Sequence, residues 1–358
     1  MIIKNIKLNN FRNYDELNLK LDKGINIFYG DNAQGKTNII EAIFVSSIGK
    51  SFRTNKDSEL IKIGQNSSNI EIEFANSNRE GKINLEISDK KRVKVNDIPL
   101  KRLSEILGNI YVVLFTPDDI NILKGSPSER RKFLNIMISQ LRPLYMFALS
   151  EYVKTMNQRN IYLKQIKYEN KPQDMLDIWD SKLAELGMKI YLYRKEFIGK
   201  ISNKICDIHS NITNNNENIE ILYSFNCNSK EEYLEKLIKL RKIDVQKCYT
   251  SFGIHRDDFL VKINDNPISS YGSQGQHRTA ILSLKISELQ IIYEEVGEYP
   301  ILLLDDFMSE LDNERRINLL KNINNNQIII TCTDKEFFSN LNANFYSVSN
   351  GKIIWFWF

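Results

Sequence analysis

Residues 30–37 read Gly-Asp-Asn-Ala-Gln-Gly-Lys-Thr and match G-x-x-x-x-G-K-[ST], the pattern of a phosphate-binding loop. Residues 24–29 before the loop predict a buried strand, and residues 38–45 after it predict a helix. Glycines allow backbone N–H groups to surround a phosphate, and the helix N-terminus adds the positive end of a dipole. A plain glycine turn is the alternative, but strand, loop and helix together favour a nucleotide site.

The loop pattern also assigns roles to its side chains. We expect Lys36 to reach the β- and γ-phosphates of ATP and the Thr37 hydroxyl to bind Mg²⁺. The predicted nucleotide-binding residues of the loop are Gly30, Asp31, Asn32, Ala33, Gln34, Gly35, Lys36 and Thr37.

Composition sets broad limits on the class of protein. The 358 residues are enough for two domains or for one domain with an insertion. A net charge of +4 does not identify a nucleic-acid partner, so any polyanion site must come from local clustering. The four cysteines form no C-x-x-C pair, which predicts free thiols rather than a metal site. Because the sequence has no signal-peptide pattern and no apolar run near the ~20 residues of a membrane span, we expect a cytoplasmic protein without a membrane partner.

Short strands are predicted in the N-terminal third by alternating apolar and polar residues, at 17–21, 70–74 and 83–87. Residues 110–115 are apolar throughout, which predicts a central strand. Residues 95–99 and 263–267 share a pattern in which a strand is followed by Asn-Asp and a turn. We interpret the pattern as similar turn chemistry rather than as a duplication.

From Pro117 onward the pattern changes to helical spacing with charged faces. The predicted helices lie near residues 127–168, 173–210 and 230–248. Strand patterns return at residues 259–263. We therefore expect an α/β protein whose head, residues 1–117 plus 250–358, is split in sequence by a helical lobe at residues 118–249.

Residues 301–306 read Ile-Leu-Leu-Leu-Asp-Asp, a predicted buried strand that ends in two carboxylates. Ligands of open α/β sheets bind at the C-terminal ends of strands, so these acids suit the same nucleotide site. We expect Asp305 to hold Mg²⁺, directly or through water, and Asp306 to orient the attacking water. Asp306, Asp305 and Lys36 are therefore the predicted catalytic residues. The separation of 305 − 36 = 269 residues indicates a large insertion, which the helical segment supplies.

A second helix start lies within residues 271–279, Tyr-Gly-Ser-Gln-Gly-Gln-His-Arg-Thr. Ser273 is a suitable N-cap, and the N–H groups of the following helix would attract a phosphate. Because the chain already has one phosphate loop, we expect Ser273, Gly275 and Gln276 to complete the site of a second copy. The prediction is two chains that enclose two nucleotides, and the alternative is an ordinary helix cap.

Smaller features near the end of the chain fit the same scheme. Residues 309–312 follow the acids and are candidates to connect the two sites. Residues 327–333 predict an apolar strand that ends in hydroxyls, with Thr331 or Thr333 as candidate sensors of the γ-phosphate. Plain sheet and turn are the alternative for each. The aromatic tail at residues 355–358 matches no motif and is a candidate terminal strand or contact point.

Taken in order, the motifs closely resemble those of the RecF family of bacterial recombination mediators, which are ABC-type ATPases related to SMC proteins. The likeness runs nearly from end to end. Its motifs lie at residues 8–14, 30–37, 49–54, 124–127, 130–131, 253–258, 271–279, 304–306 and 309–312.

The resemblance implies a P-loop NTPase of the ABC or SMC-head type, with a strand-rich N-terminal part and an inserted helical lobe. It implies ATP and Mg²⁺ as cofactors, an ATP-dependent homodimer and slow, DNA-stimulated ATP hydrolysis. It also implies sequence-independent binding to DNA at gaps or single-strand/double-strand junctions. The implied partners are RecO and RecR, with which the family loads RecA in recombinational repair, replication restart and the SOS response.

Three basic clusters are candidates for DNA contact, because Lys and Arg neutralise backbone phosphates without reading sequence. A solvated surface is the alternative for each cluster, and Arg53 and Arg130 are also candidates for ATP or dimer contacts. The clusters are Lys50, Arg53 and Lys56; Lys90, Lys91, Arg92 and Lys94; and Lys124, Arg130, Arg131 and Lys132.

Two other function classes share part of this pattern. A transporter-type ABC ATPase subunit would have the same loop, capped helix and acids, but would also need a surface for membrane helices. The helical insertion and the strands at residues 70–115 fit an SMC-like head better. A helicase would need additional motifs that the sequence lacks.

Overall fold

The computed structural model describes residues 1–77, 79–225, 227–310, 316, 326–335, 338 and 341–355. By its internal contacts the chain divides into two compact units. The sheet unit comprises Met1–Ile120, Asn211–Asn214 and His277–Phe358, and the helical unit comprises Asn121–Ser210 and Asn215–Gln276.

The strands, in chain order, are β1 (Ile2–Phe11), β2 (Tyr14–Lys20), β3 (Ile25–Tyr29), β4 (Ser68–Ala75), β5 (Glu80–Ile87), β6 (Lys91–Val95), β7 (Ile98–Pro99), β8 (Val112–Phe115), β9 (Ile219–Ser224), β10 (Asp258–Ile263), β11 (Asn266–Pro267), β12 (Ile301–Asp305), β13 (Ile328–Cys332), β14 (Ala343–Ser349) and β15 (Lys352–Trp355). The helices are α1 (Lys36–Ile48), α2 (Asn121–Lys124), α3 (Pro127–Leu141), α4 (Pro143–Glu169), α5 (Leu176–Thr213), α6 (Lys230–Lys247), α7 (Ile268–Tyr271) and α8 (Gln274–Val296).

One sheet of the sheet unit positions the predicted nucleotide site. Its strand order is β15-β14-β3-β13-β12-β8, and all pairs are parallel except β14 with β15. Strands β12 and β13 are buried along their whole length, as expected for apolar runs in a parallel sheet. Because β13 lies between β3 and β12, the loop after β3 and the acids after β12 meet at the carboxyl edge of the sheet.

The strand predicted at residues 110–115 is present, but the prediction that it is central in the sheet is wrong. Strand β8 is buried at all four residues, but it lies at the end of the strand order beside β12. A continuous apolar run indicates that both faces of a strand are covered. It does not indicate how many neighbours the strand has.

The second sheet of the sheet unit is antiparallel, with the order β2-β1-β4-β5-β6-β7. Its strands follow the predicted alternation, and β4 buries every second residue. The turn between β1 and β2 lies at residues 12–13, because Phe11 pairs with Tyr14. This turn contacts the phosphate loop, as described below.

The helical unit contains α2 to α7 and a small antiparallel sheet in the order β11-β10-β9. Arg159 on α4 is fully buried and donates to Asp180 at 2.6 Å and to Asp244 at 2.7 Å, so one side chain connects α4, α5 and α6. Residues 250–276 group with this unit, whereas the sequence placed them with the head. The reason is that β10 pairs with β9, a strand within the inserted segment.

Candidate nucleotide-binding site

The strand, loop and helix predicted around residues 30–37 are confirmed as β3, a loop and α1. Gly35 is the N-cap of α1, and its φ of 113° lies in the left-handed region. A Cβ at this position would lie 2.7 Å from Asn13 Nδ2, so the loop also requires glycine for space. The N–H groups of the first helical turn have no carbonyl partner within the helix, which makes them donors for an anion.

Lys36 lies folded against the loop, with only 4% of its surface exposed. Its Nζ donates to the carbonyl oxygens of Gly30 at 2.5 Å and Asp31 at 2.8 Å. These are neutral acceptors, so a phosphate oxygen would form a stronger, charge-assisted hydrogen bond with the same ammonium group.

Two hydroxyl side chains bring the loop and the acids together. Thr37 Oγ1 donates to Asp305 Oδ1 at 2.8 Å, and Thr331 Oγ1 donates to the same oxygen at 2.7 Å. The Asp306 N–H donates to Thr331 Oγ1 at 3.0 Å, and Asp306 has a left-handed φ of 49°. The hydroxyl of Thr331 therefore fixes both acids, which the sequence did not predict. Thr333, the other candidate sensor, is exposed.

Burial is the main influence on the protonation of Asp305, whose surface is 7% exposed. It raises the pKa of this carboxyl, and the hydrogen bonds from Thr331 and Thr37 lower it in part. A hydroxyl and a carboxylate oxygen in contact are hard ligands of the kind that Mg²⁺ prefers, so Thr37 and Asp305 fit a magnesium ion.

A buried carboxylate on α1 was missed from the sequence. Glu41 is fully buried and accepts hydrogen bonds from Arg12 Nε at 2.8 Å, Arg12 Nη2 at 2.7 Å and Ser51 Oγ at 2.5 Å. Arg53 Nη1 also donates to it at 3.2 Å and to Asn38 Oδ1 at 2.8 Å. Arg53 therefore lies against α1, and the only sequence signal for the cluster is an acid inside an apolar helix.

The capped helix start at Ser273 is confirmed. Ser273 Oγ accepts from the Gln276 N–H at 3.2 Å, and Gln276 Oε1 accepts from the Ser273 N–H at 2.9 Å, which is a reciprocal capping box at the start of α8. Gln276 Nε2 also donates to Glu217 at 3.0 Å. The role of Ser273, Gly275 and Gln276 in a second copy's site stays a prediction.

Several basic residues proposed for DNA contact are engaged within the chain. Lys91 Nζ donates to Asp57 Oδ1 at 2.5 Å, and Arg131 Nη1 donates to the Asp257 carbonyl at 2.6 Å. Arg130 forms a bidentate ion pair with Asp258, at 2.6 and 2.9 Å. Such contacts favour a structural role for these three residues. The exposed members of the clusters include Lys50, Lys90, Lys94 and Lys124.

Some predictions fall on parts of the chain that the structure does not describe. Leu311 and Asp312 lie outside the described residues, as do the side chains of Ser309 and Glu310. Of the aromatic tail, Trp355 ends β15, and residues 356–358 lie outside the described part.

Among the residues that the structure describes, no helix is both long and apolar enough to cross a bilayer. Within the same ranges, no group of three or more His, Cys, Asp or Glu side chains is arranged to hold a metal ion.

Comparison with known proteins identifies the family. A family model described as the RecF/RecN/SMC N terminal domain matches residues 2–110. The chain is 45% identical to the DNA replication and repair protein RecF of Acetivibrio thermocellus, with 96% of each chain covered. It is 44% identical to the protein of the same name from Clostridium tetani, with 99% of this chain and 100% of the relative covered.

Solved structures agree with this likeness. A structure described as the recombination mediator protein RecF-ATPrS in the RecFOR pathway superposes with a TM-score of 0.92 at 39% identity, and covers 98% of this chain and 97% of its own. An Smc head domain from Pyrococcus furiosus reaches a TM-score of 0.57 at 17% identity, with 98% and 95% covered, and shares the fold. The predicted α/β fold of the ABC or SMC-head type is confirmed, and the chain belongs to the RecF family.

Proposed function

We propose that this chain is an ATP-dependent mediator of recombinational DNA repair, in which ATP binding and hydrolysis switch the protein between two states. The observation that carries the proposal is the hydrogen bond between Thr37 and Asp305, which joins the phosphate loop to the acidic strand end. Relatives named for DNA replication and repair, and a solved relative with ATPrS, support the same function.

Within the site, each group has a separate task. Lys36 and the N–H groups at the start of α1 bind the β- and γ-phosphates. Thr37 and Asp305 hold Mg²⁺, which neutralises phosphate charge when it is bound. Asp306 accepts a hydrogen bond from the water that attacks the γ-phosphate, and the products are ADP and phosphate. Its rigid attachment to Thr331 suits it to orient this water.

The capping box at Ser273 supports the proposal of a dimer. The N–H groups that begin α8 form a second anion site on the same chain, so two copies together can cover two triphosphates. A ligand shifts an equilibrium only through a difference in affinity, and phosphates held between two chains provide that difference. Slow hydrolysis then resets the dimer to separate chains.

The ATP-bound dimer is proposed to close on DNA at gaps or single-strand/double-strand junctions, with RecO and RecR as partners in loading RecA. This activity would support replication restart and the SOS response. DNA would stimulate a weak ATPase, without any chemistry on the DNA itself. Lysines such as Lys50, Lys90 and Lys94 are candidates for sequence-independent contact with backbone phosphates.

The direct test is binding of labelled DNA, measured by fluorescence anisotropy with and without ATP and Mg²⁺. The proposal predicts ATP-dependent binding to a gapped duplex, weaker binding to a blunt duplex, and loss of binding as salt is raised. Equal binding with and without ATP by a protein that binds ATP would contradict it.

A transporter-type ABC ATPase subunit was the alternative, and membership of the RecF family favours the repair function. The same assay distinguishes the two, because a transporter subunit would bind neither DNA substrate. Location in the cytoplasm stays a prediction.

A further inference from the structure

The hairpin between β14 and β15 contacts the phosphate loop through its turn. The turn residues Asn350 and Gly351 have φ values of 49° and 68°, as in a type I′ turn. The Asn350 N–H donates to Gln34 Oε1 at 2.6 Å, and the Gly351 N–H donates to Gln34 O at 3.1 Å. Both backbone N–H groups of the turn therefore donate hydrogen bonds to Gln34 of the loop.

The turn between β1 and β2 contacts the same peptide groups from its own side. Asn13 Nδ2 donates to Gln34 O at 3.0 Å, and Asn13 Oδ1 accepts from Asn38 Nδ2 at 2.7 Å. Tyr14 Oη is buried and donates to Gly35 O at 3.1 Å. Two consecutive carbonyls of the phosphate loop are thus held by groups outside the loop.

Holding a carbonyl also sets the direction of an N–H group. A peptide unit is planar and trans, so its N–H points opposite to its C=O. Fixing the carbonyl of Gln34 therefore fixes the Gly35 N–H, and fixing the carbonyl of Gly35 fixes the Lys36 N–H. These are the amides that begin α1, where the phosphates of a nucleotide would bind.

We propose that the Asn350–Gly351 turn, with Asn13 and Tyr14, positions the phosphate loop before ATP arrives. The four residues act through Gln34 and Gly35, so they are positioning residues. They lower the conformational entropy that the loop loses when ATP binds, because the N–H groups of Gly35 and Lys36 already have fixed directions. This inference rests on the proposed ATP site at residues 30–37.

Gly351 is the residue on which the contact depends most closely. Its φ of +68° favours glycine, and a Cβ there would lie 2.8 Å from the Asn13 carbonyl oxygen. An alanine would push the turn away from Asn13 and stretch the bond from the residue 351 N–H to Gln34. Substitution at this position therefore separates the hairpin from the loop without altering any loop residue.

The test compares Gly351→Ala with two matched controls, Gly64→Ala and Gly297→Ala. Both control glycines have positive φ, +87° and +77°, but a Cβ at either would meet nothing within 4 Å. All three changes carry the same kind of backbone strain, and only Gly351→Ala adds the contact with Asn13, so the controls account for the strain alone. We expect the Kd for ATP, measured by calorimetry with Mg²⁺, to rise about tenfold in Gly351→Ala alone. An unchanged Kd, or an equal rise in the controls, would overturn the proposal.

A second readout needs no nucleotide. In protein labelled with ¹⁵N-glycine, the Gly35 amide resonance should shift in Gly351→Ala and stay in place in Gly64→Ala. If Gly351→Ala does not fold, Asn13→Ala carries the same test, because it removes the donor to Gln34 O. An unmoved Gly35 resonance in the folded variant refutes the positioning role. If instead the wild-type protein fails to bind ATP, the proposed function fails, and the resonance still decides the positioning role.

Discussion

Lys36 is a single ammonium group whose present partners are two neutral carbonyls, those of Gly30 and Asp31. Replacing those contacts with charge-assisted bonds to phosphate is the main gain that this side chain can provide. Lys36→Ala should therefore weaken ATP binding by roughly 10–100-fold, from a loss of ~1.5–3 kcal/mol. Calorimetric titration with ATP and Mg²⁺ measures this directly.

The matched control for that change is Lys20→Ala, which removes an exposed lysine at the end of β2. ATP affinity should be unchanged in this variant. If Lys36→Ala bound ATP as well as Lys20→Ala does, the lysine of the loop would have no role in nucleotide binding.

Thr331 holds both acids through one hydroxyl, so its removal should affect hydrolysis more than binding. We expect Thr331→Val to lower kcat by about tenfold, the equivalent of one hydrogen bond, with little change in the Kd for ATP. Thr331→Ser keeps the hydroxyl and should restore most of the rate. The measurement is steady-state phosphate release. A Thr331→Ser rate as low as that of Thr331→Val would show that the methyl group, rather than the hydroxyl, matters.

At the scale of single residues, local sequence patterns predicted much of the site, and contacts between distant segments were missed. Lys36, Thr37 and Asp305 were identified because a loop motif and a strand ending in acids are each contiguous in sequence. The cluster of Arg12 and Arg53 on Glu41 was missed, because its members come from separate segments. No spacing rule links them, since only the folded chain brings them to one carboxylate.

Among the elements, α4 and the loop after α6 meet at a half-buried histidine. His255 Nδ1 is hydrogen-bonded to Tyr152 Oη at 2.9 Å, and Nε2 to the Thr250 carbonyl at 3.0 Å. Burial lowers the pKa of His255 from 6.5 to about 4. The unfolded chain therefore binds the proton more tightly than the folded chain does. Stability from this group is fully present above about pH 6.5 and is lost as pH falls toward 4.

We expect His255→Gln to reduce the loss of unfolding free energy between pH 7 and pH 5 by about 1–2 kcal/mol. Urea unfolding of the wild type and the variant at both pH values provides the measurement. Because other groups titrate in both proteins, the difference between the two slopes isolates His255. Identical slopes would show that His255 does not contribute to the pH dependence.

Element-scale predictions succeeded where turn chemistry was local. The Asn-Asp pair that the two segments share forms a two-residue turn in each of two different sheets. Asn96–Asp97 joins β6 to β7, and Asn264–Asp265 joins β10 to β11. Both residues of each turn have positive φ. Strand β9 was missed, because its pairing partner β10 lies more than thirty residues later in the sequence.

For the whole molecule, we propose that one chain cannot enclose ATP without a second copy. The capping box at Ser273 and the phosphate loop are both present in each chain, and we propose that the box of one copy faces the loop of the other across a shared site. The capping box and the phosphate loop could both be predicted from the sequence, because each is a short motif. The arrangement of two copies could not, because it depends on surfaces assembled from distant segments.

The variant Ser273→Arg tests this claim, because a bulky side chain at the start of α8 would block the facing site. Its matched control is Ser229→Arg, which removes another serine N-cap, that of α6, where Ser229 Oγ accepts from the Glu232 N–H at 3.1 Å. Both variants lose one cap, so they should lose similar stability. Both should still bind ATP, since the phosphate loop is unaltered.

Light scattering of Asp306→Asn with ATP and Mg²⁺ is the most direct measurement, because this variant should bind ATP and dimerise but not complete hydrolysis. We expect a mass near 2 × 41.9 = 83.8 kDa in that background and when Ser229→Arg is added to it. When Ser273→Arg is added instead, we expect 41.9 kDa. An ATP-dependent dimer that forms equally well with Ser273→Arg would contradict the shared site.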